Sequence, residues 1–539
     1  MTGAPAAPAA PAPALAARAG RRGRPVALTA LCTLLFLTFF DNTVVSVALA
    51  SIQADLRAGV SALQWVVGVY ALAFASLMLA FGMLADELGR KKVMLGGALA
   101  YCAGAAVSAL APGTGVLIAG RAVMGLGAAA SEPGTLSMIR QIYPDERSRN
   151  RALGAWAAVS GLALALGPVL GGTLVGLWSW RGVFWFDVAF GLAATVAAAL
   201  VLPESADPRA GRADLAGTAL WAGALAALMV AVLRGETSGF GAPAVVALLG
   251  TAALAAAGFA VRERRATRPL LDLGFLRSPR FATPNLVAFC CYFATFAIFL
   301  FTALYLTVAA GYSGFRVAAV FLPMAAVMIG ASVLAGRWTT TAGIRWSLAG
   351  GCLVFMAGLL ATGAALGPHP RYLPLAAALA VAGAGLGASV VPVTSSVLTA
   401  VPAQRSGMAA SATNTSREVG AVAGVVMLGA LVNAELKSGL LGEMARLRLP
   451  GALRALVIQA VENGGGTLAL GAGPGAGAGP AGGLAGQLFQ AGYAAFESAL
   501  HAALYLSAGL VAAAAVLAAV TLRGAPGRAT RRRPRRPAG

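Results

Sequence analysis

Charge is scarce in this chain. Only 11% of its 539 residues are charged, 59% are hydrophobic, and the mean hydropathy is +0.79. Ordinary globular chains carry roughly 25% charged residues. A soluble core cannot cover that much apolar surface, so the deficit makes a lipid bilayer the expected solvent. Acids are scarcer than bases, 19 against 40 Lys and Arg. The resulting net charge of +21 would suit nucleic acid only if the bases gathered on one soluble face. They are scattered between apolar runs instead, so no nucleic-acid partner is expected. Histidine is nearly absent: His369 and His501 stand apart and lack ligand spacing. That argues against a metal centre or a catalytic constellation, so neither an enzyme nor a cofactor is expected. The absence of a G-x-x-x-x-G-K-[ST] loop argues against an ATP-driven pump. Five cysteines, Cys32, Cys102, Cys290, Cys291 and Cys352, all fall inside apolar runs without a disulfide framework, and read as small core residues.

What the chain has in abundance is apolar stretches of membrane-crossing length. Fourteen can be marked out, near 26–50, 62–84, 93–112, 115–139, 153–176, 182–202, 215–233, 242–261, 281–306, 315–337, 346–367, 372–400, 406–433 and 499–522. The run from Val26 is too long for the apolar segment of a signal peptide, so residues 1–25 read as a disordered cytoplasmic leader before a retained first helix. An even count puts both termini on one side. Arg90, Lys91 and Lys92, then Arg147, Arg149 and Arg151, then Arg262, Arg264, Arg265 and Arg268, and the basic tail 523–539 all fall on the side of the N-terminus. The positive-inside rule makes that side cytoplasmic.

The expected architecture is an all-α membrane protein, a monomer in the plasma membrane. It has one six-helix bundle at 26–202, two inserted helices at 215–261, and a second six-helix bundle at 281–522. The long loop 434–498 is extracellular, and its Gly-rich middle reads as a tolerated flexible connection, with a functional lid as the rival reading. The halves echo each other: Gly82 and Gly89 precede Arg90 at the turn after helix 2, and Gly336 and Gly343 precede Arg345 at the turn after helix 10. Internal duplication is how many secondary transporters build a site open alternately to each face.

The run Gly82-Met83-Leu84-Ala85-Asp86-Glu87-Leu88-Gly89-Arg90-Lys91-Lys92 resembles the loop 2–3 signature of the major facilitator superfamily. Leu117 to Gly127, with Arg121 at its centre, is similar to that family's helix 4 signature. Gly167-Pro168-Val169-Leu170-Gly171-Gly172 is similar to its helix 5 antiporter signature. Asp41 to Leu49, together with Gln64-Trp65, Tyr70 and Trp180-Arg181, resembles the fourteen-helix drug:proton antiporter branch. The resemblance implies the major facilitator fold and the exchange of small amphipathic molecules for protons. Import of a specific metabolite by proton symport is the alternative, and the Gly-Pro signature favours antiport.

A charge inside a bilayer helix costs at least about 2.5 kcal/mol on insertion scales, so each one present is a functional candidate. Asp41, Arg121, Glu132 and Arg417 stand out. Asp41 lies about 22 Å along helix 1 from its cytoplasmic start, a depth that Arg121 on helix 4 shares. Arg121 and Glu132 lie eleven residues apart, on one helix face about 16 Å apart. Asp41, Arg121 and Glu132 are therefore read as the proton-coupling set, with fixed helix-holding pairs as the rival reading.

Asp86 and Arg90, bracketed by Gly82 and Gly89, read as a gating latch or as plain cytoplasmic anchors. Gly167, Pro168, Gly171 and Gly172 read as a helix 5 hinge, compatible with tight packing. Trp65, Tyr70, Asn414 and Arg417 are the substrate-cavity candidates, although aromatic residues also form interfacial belts. Arg417 and Glu418 point about 100° apart, so they are not expected to face one narrow cavity together.

Overall fold

The computed structural model describes residues 20–58, 60–205, 214–266, 269–308, 310–312, 314–367, 370–402, 405–446 and 484–522. Most of the leader, the Gly-rich middle of the long loop, His369 and the basic tail lie outside these residues. All regular secondary structure among the described residues is helical.

The first six helices are α1 (Gly20–Leu56), α2 (Val60–Leu88), α3 (Arg90–Ala109), α4 (Thr114–Ile142), α5 (Glu146–Leu177) and α6 (Trp180–Val201). Helices α7 (Leu215–Ser238) and α8 (Pro243–Arg265) follow. Helix α9 (279–308) is α-helical at Pro279–Phe296 and Ala303–Val308, with a π-helical turn at Ala297–Thr302 between them. The rod Gly314–Ala365 is broken at Gly343, whose φ of +80° no L side chain adopts readily, and divides there into α10 (314–342) and α11 (344–365). Helices α12 (Tyr372–Ala400), α13 (Ser406–Arg446) and α14 (Leu484–Thr521) complete the chain.

Eleven stretches are long and apolar enough to cross a membrane, and twelve with the bent α5. That count treats Ala319–Ala365 as one stretch and omits α13, whose first half carries Asn414, Arg417 and Glu418. With the Gly343 break honoured, the described residues form the fourteen long helices α1–α14, within which eleven or twelve stretches pass as long and apolar enough to cross a membrane. Their ends differ from the hydropathy spans. Helix α1 starts at Gly20, inside the expected leader, while α13 and α14 extend into the expected 434–498 loop from both sides. Polar residues prolong these rods because helix propensity, not apolarity, sets where a helix stops.

Helices α1 to α6 pack against one another, as do α9 to α14. The two groups meet along α5 against α10 and α2 against α13, while α7 and α8 pair and α7 lies on α2. Glycine makes the meeting close. A Cβ at Gly336 would stand 2.6 Å from the Asn150 carbonyl, and one at Gly82 would collide with Ser411 of α13. Gly89, with φ of +115°, turns the chain between α2 and α3 as Gly343 does between α10 and α11. The echoed glycines thus do matching work in the two halves. The five cysteines are free and buried. Helix α5 starts on Asp145, whose carboxylate accepts the Ser148 N–H at 2.9 Å; that bond holds its pKa below the usual carboxylate value.

Candidate functional site

Two buried clusters of charge lie in the bundle. The first is built on α1, α4 and α6. Asp41 is fully buried, and both its carboxylate oxygens accept from one guanidinium nitrogen of Arg121, at 2.6 and 2.7 Å. The Arg121 Nε donates to the Val66 carbonyl at 3.1 Å, and the guanidinium covers the Tyr70 ring at 4.4 Å. The Tyr70 hydroxyl is anchored in turn on the Thr38 carbonyl. The expected Asp41–Arg121 contact is therefore present. Tyr70, expected in the substrate cavity, lies buried beneath Arg121.

Sequence reasoning passed over Asp187. It lies on α6 in the run Phe184-Trp185-Phe186-Asp187, fully buried, and neither carboxylate oxygen has a hydrogen-bond partner. Asp41 and Arg121 act on it electrostatically, and the Tyr101 hydroxyl, itself without a good hydrogen bond, is its neighbour. The signal that could have found it is the one applied to Asp41: an acid in the interior of an apolar helix.

The second cluster joins the two halves. Glu132 on α4 is buried, its Oε2 without a hydrogen-bond partner, and it feels Arg417 and Glu418 of α13. Arg417 donates to Asn414 Oδ1 at 3.0 Å and to Thr394 Oγ1 at 2.8 Å, and lies over the rings of Trp156 (5.2 Å) and Tyr292 (5.6 Å). Trp156 belongs to α5, so this contact crosses between the halves; its Nε1 donates to Thr135 Oγ1, one turn past Glu132. Arg121 and Glu132, expected on one stripe, thus serve different neighbours: α1 for the arginine and α13 for the acid. Both Arg417 and Glu418 are buried.

Trp65, the other aromatic cavity candidate, is half-buried; on α6, Phe184 is core against Trp180 and Trp185 is 47% exposed. They form no common surface. Two apolar grooves, of about 460 and 310 Å3, lie between α2, α3 and α4 and beside α1 and α5. Neither is lined by the charged clusters.

A third group closes the face where α1 begins. The Asp86 carboxylate pairs with Arg90 at 2.5 Å and meets the first backbone N–H groups of α13, at Gly407 and Met408. A Cβ on Gly407 would stand 2.5 Å from that carboxylate. Arg90 also reaches Ser205 at 2.8 Å and Ser406 at 3.5 Å. Arg140, which the sequence did not single out, donates from α4 to the Val401 carbonyl at 2.9 Å.

The hinge residues lie where α5 crosses α1. The α5 segments on either side of Pro168 diverge by 42°. Proline at 168 has no N–H to offer the Leu164 carbonyl, and Thr43 of α1 donates its hydroxyl there instead, at 3.1 Å. Gly167 and Gly171 leave room for Thr43 and Val44, while Gly172 faces open space.

An all-helical bundle with eleven or twelve stretches long and apolar enough to cross a bilayer defines a multi-pass membrane protein. The chain belongs to the Major Facilitator Superfamily, which it matches over residues 31–425. It is 32% identical over 406 residues to the "Multidrug resistance protein Stp" of Mycobacterium tuberculosis (strain CDC 1551 / Oshkosh), covering 75% of each chain. It is also 32% identical over 397 residues to the "Methylenomycin A resistance protein" of Bacillus subtilis (strain 168), covering 73% of this chain and 84% of that one. Among solved structures, the human organic anion transporter MFSD10 aligns with a TM-score of 0.59 at 13% identity, covering 92% of this chain and 99% of that one, a likeness of fold.

Proposed function

We propose that the protein is a proton-coupled antiporter that exports small amphipathic molecules, drugs or natural products among them, across the plasma membrane by alternating access. The resistance proteins it resembles support export. In this reading the protein is a monomer of two six-helix lobes, α1–α6 and α9–α14, with α7 and α8 inserted between them. All fourteen helices cross the bilayer, and both termini are cytoplasmic. The face where α1 begins is then the cytoplasmic one. The Asp86, Arg90 and Arg140 contacts close it, so the described state is shut toward the cytoplasm.

The observation that carries the reading is that one stretch of α1 serves both the ion pair and the hinge. Asp41 holds Arg121, and Thr43, two residues on, holds the carbonyl that Pro168 leaves free. When a proton from outside neutralises Asp41, the guanidinium loses its partner and α1 is free to shift. That shift loosens the Thr43 contact and lets α5 bend, and α5 is the helix on which the second lobe rests. The lobes rock, the Asp86 latch parts, and the proton leaves toward the cytoplasm. Glu132 is the second coupling acid. It faces Arg417 across the lobe boundary, and Arg417 lies over Trp156 of Glu132's own lobe, so an amphipathic molecule there would displace aromatic and charged contacts at once.

The test is transport in inverted membrane vesicles under an imposed pH gradient, with ethidium as the probe. Uptake driven by an acidic lumen and abolished by a protonophore is the expected result. Uptake driven only by an acidic exterior would indicate symport and refute the proposal.

A further inference from the structure

The first cluster holds two carboxyl groups and one guanidinium. Arg121 is spent on Asp41, with both carboxylate oxygens on one of its nitrogens. Asp187 is left fully buried with both oxygens unpartnered. The helices packed against α6 are α1, α3 and α5. Facing Asp187, α1 brings Asp41, and α3 brings Tyr101 and Cys102. The charged residues of α5, Glu146, Arg147, Arg149 and Arg151, all lie in its first turns, far along the helix from this depth. Among the described residues, the cation acting on Asp187 is Arg121, the one Asp41 already holds.

Two carboxylates cannot both stay ionised on one guanidinium in an apolar interior, because like charges oppose each other and each unpaired buried charge carries a heavy desolvation penalty. We propose that Asp187 is a second proton-binding residue of this site, and that Asp41 and Asp187 share one proton across Arg121. In the described state Asp41 is the carboxylate and Asp187 the acid. In the alternate state the proton leaves the Asp187 carboxyl for the Asp41 carboxylate, and Arg121 turns from Asp41 to Asp187. One O–H bond breaks and one forms, with the cluster's net charge unchanged. The Tyr101 hydroxyl, beside Asp187 and within the field of Asp41, is placed to pass that proton. The site thereby stores a proton without an unpaired charge, and the switch of Arg121 becomes a two-position switch.

This deepens the antiport reading and rests on it for its purpose, but its test does not need transport. The purified full chain in liposomes is titrated by infrared difference spectroscopy in the stretch region of protonated carboxyls. The expected results are that Asp187→Asn loses one carboxyl's absorption at neutral pH, and that Asp41→Asn loses the same band. In the second variant Arg121 is free to hold Asp187 as its carboxylate. The double variant then loses no more than either single one. A band unchanged in Asp187→Asn overturns the proposal, because Asp187 would be ionised. Loss in Asp187→Asn with an intact band in Asp41→Asn also overturns it, because Asp187 would then be a fixed neutral group indifferent to Arg121. Vesicle transport measured on the same proteins separates the two ideas: spectra as expected with no pH-driven uptake refute antiport alone.

Discussion

Replacing Asp41 with Asn tests the coupling pair most directly. Asn keeps the size of the side chain and removes its charge. Arg121 then keeps the Val66 carbonyl, the Met124 sulfur and the Tyr70 ring, with 1% of its surface exposed, and regains a charged partner only by turning to Asp187. At an effective dielectric near 20, two unit charges about 4 Å apart attract by about 4 kcal/mol. Breaking a buried pair from one side costs about 3–5 kcal/mol, since the remaining charge stays desolvated. Asp41→Asn should therefore insert and fold but unfold earlier in denaturant, and proton-driven efflux should stop. Arg121→Gln should lose a similar amount. In Asp41→Asn/Arg121→Gln neither charge remains, so stability should recover to within about 1–2 kcal/mol of the parent while transport stays absent. Denaturant unfolding followed by tryptophan fluorescence supplies the stability, and ethidium efflux from energised cells supplies the activity. Strictly additive losses in the double variant would refute the pairing argument, and full efflux in Asp41→Asn would refute the coupling role.

Glu132→Gln should abolish proton-driven efflux while leaving the amount of protein in the membrane unchanged, read by efflux assay beside an immunoblot. Thr43→Val removes the donor to the Leu164 carbonyl and should cost about 1–3 kcal/mol in thermal unfolding, with Thr43→Ser retaining the bond and the stability. Gly407→Ala places a methyl against the Asp86 carboxylate and should hold the cytoplasmic latch open. An introduced Val401→Cys should then label with a maleimide several-fold faster than in the parent. Asp214 caps α7 outside the membrane segments, and its bond to Arg262 holds its pKa below the usual carboxylate value. A depressed folded pKa means that this stabilisation is present above the unfolded value and lost as pH falls through the folded one. Amide exchange in the first turn of α7 should therefore accelerate on acidification below the ordinary carboxylate range, and not on raising the pH above neutrality.

The fold was legible because lipid imposes a simple rule: long apolar runs must be helices. Among the described residues, hydropathy located the long rods but not their ends, since the Arg-rich start of α1 and the polar end of α13 continue helically beyond any apolar signal. The buried charges of the candidate site were legible where a charge stood out against such a run, as Asp41, Arg121, Glu132 and Arg417 did. Asp187 obeys the same rule and was missed only because it follows Trp180-Arg181, which drew the reading to the helix start. The facing of side chains was not legible. Helical spacing put Arg121 and Glu132 on one stripe, but a stripe can meet two different neighbours along its length, and here it meets α1 and then α13. Tyr70 and Trp156 show the same limit. One is hidden beneath Arg121, and the other, unremarked in sequence, carries the contact between the lobes.

The two halves meet through two kinds of contact, and the contrast bears on how they would move. Along α5 and α10 the contact is glycine against backbone: a Cβ on Gly154 would meet the Ser332 carbonyl at 2.7 Å, and one on Gly336 the Asn150 carbonyl at 2.6 Å. At these two positions no side chain interlocks, so rolling one helix over the other there breaks few specific bonds, while Gly161 of the same seam packs on the Met328 side chain. The polar contacts between halves are instead concentrated at Asp86, Arg90 and Arg140 on one face and at Arg417 near mid-membrane. A rocking motion about the glycine-lined seam would have to break the charge contacts of that face and shift those of Arg417. In the proposed alternating access, the barrier would then sit with groups that a proton can neutralise or a substrate can match. A large residue at Gly154 should consequently impair exchange even though it touches no charge, because it would add to the seam the interlocking that the native sequence leaves out.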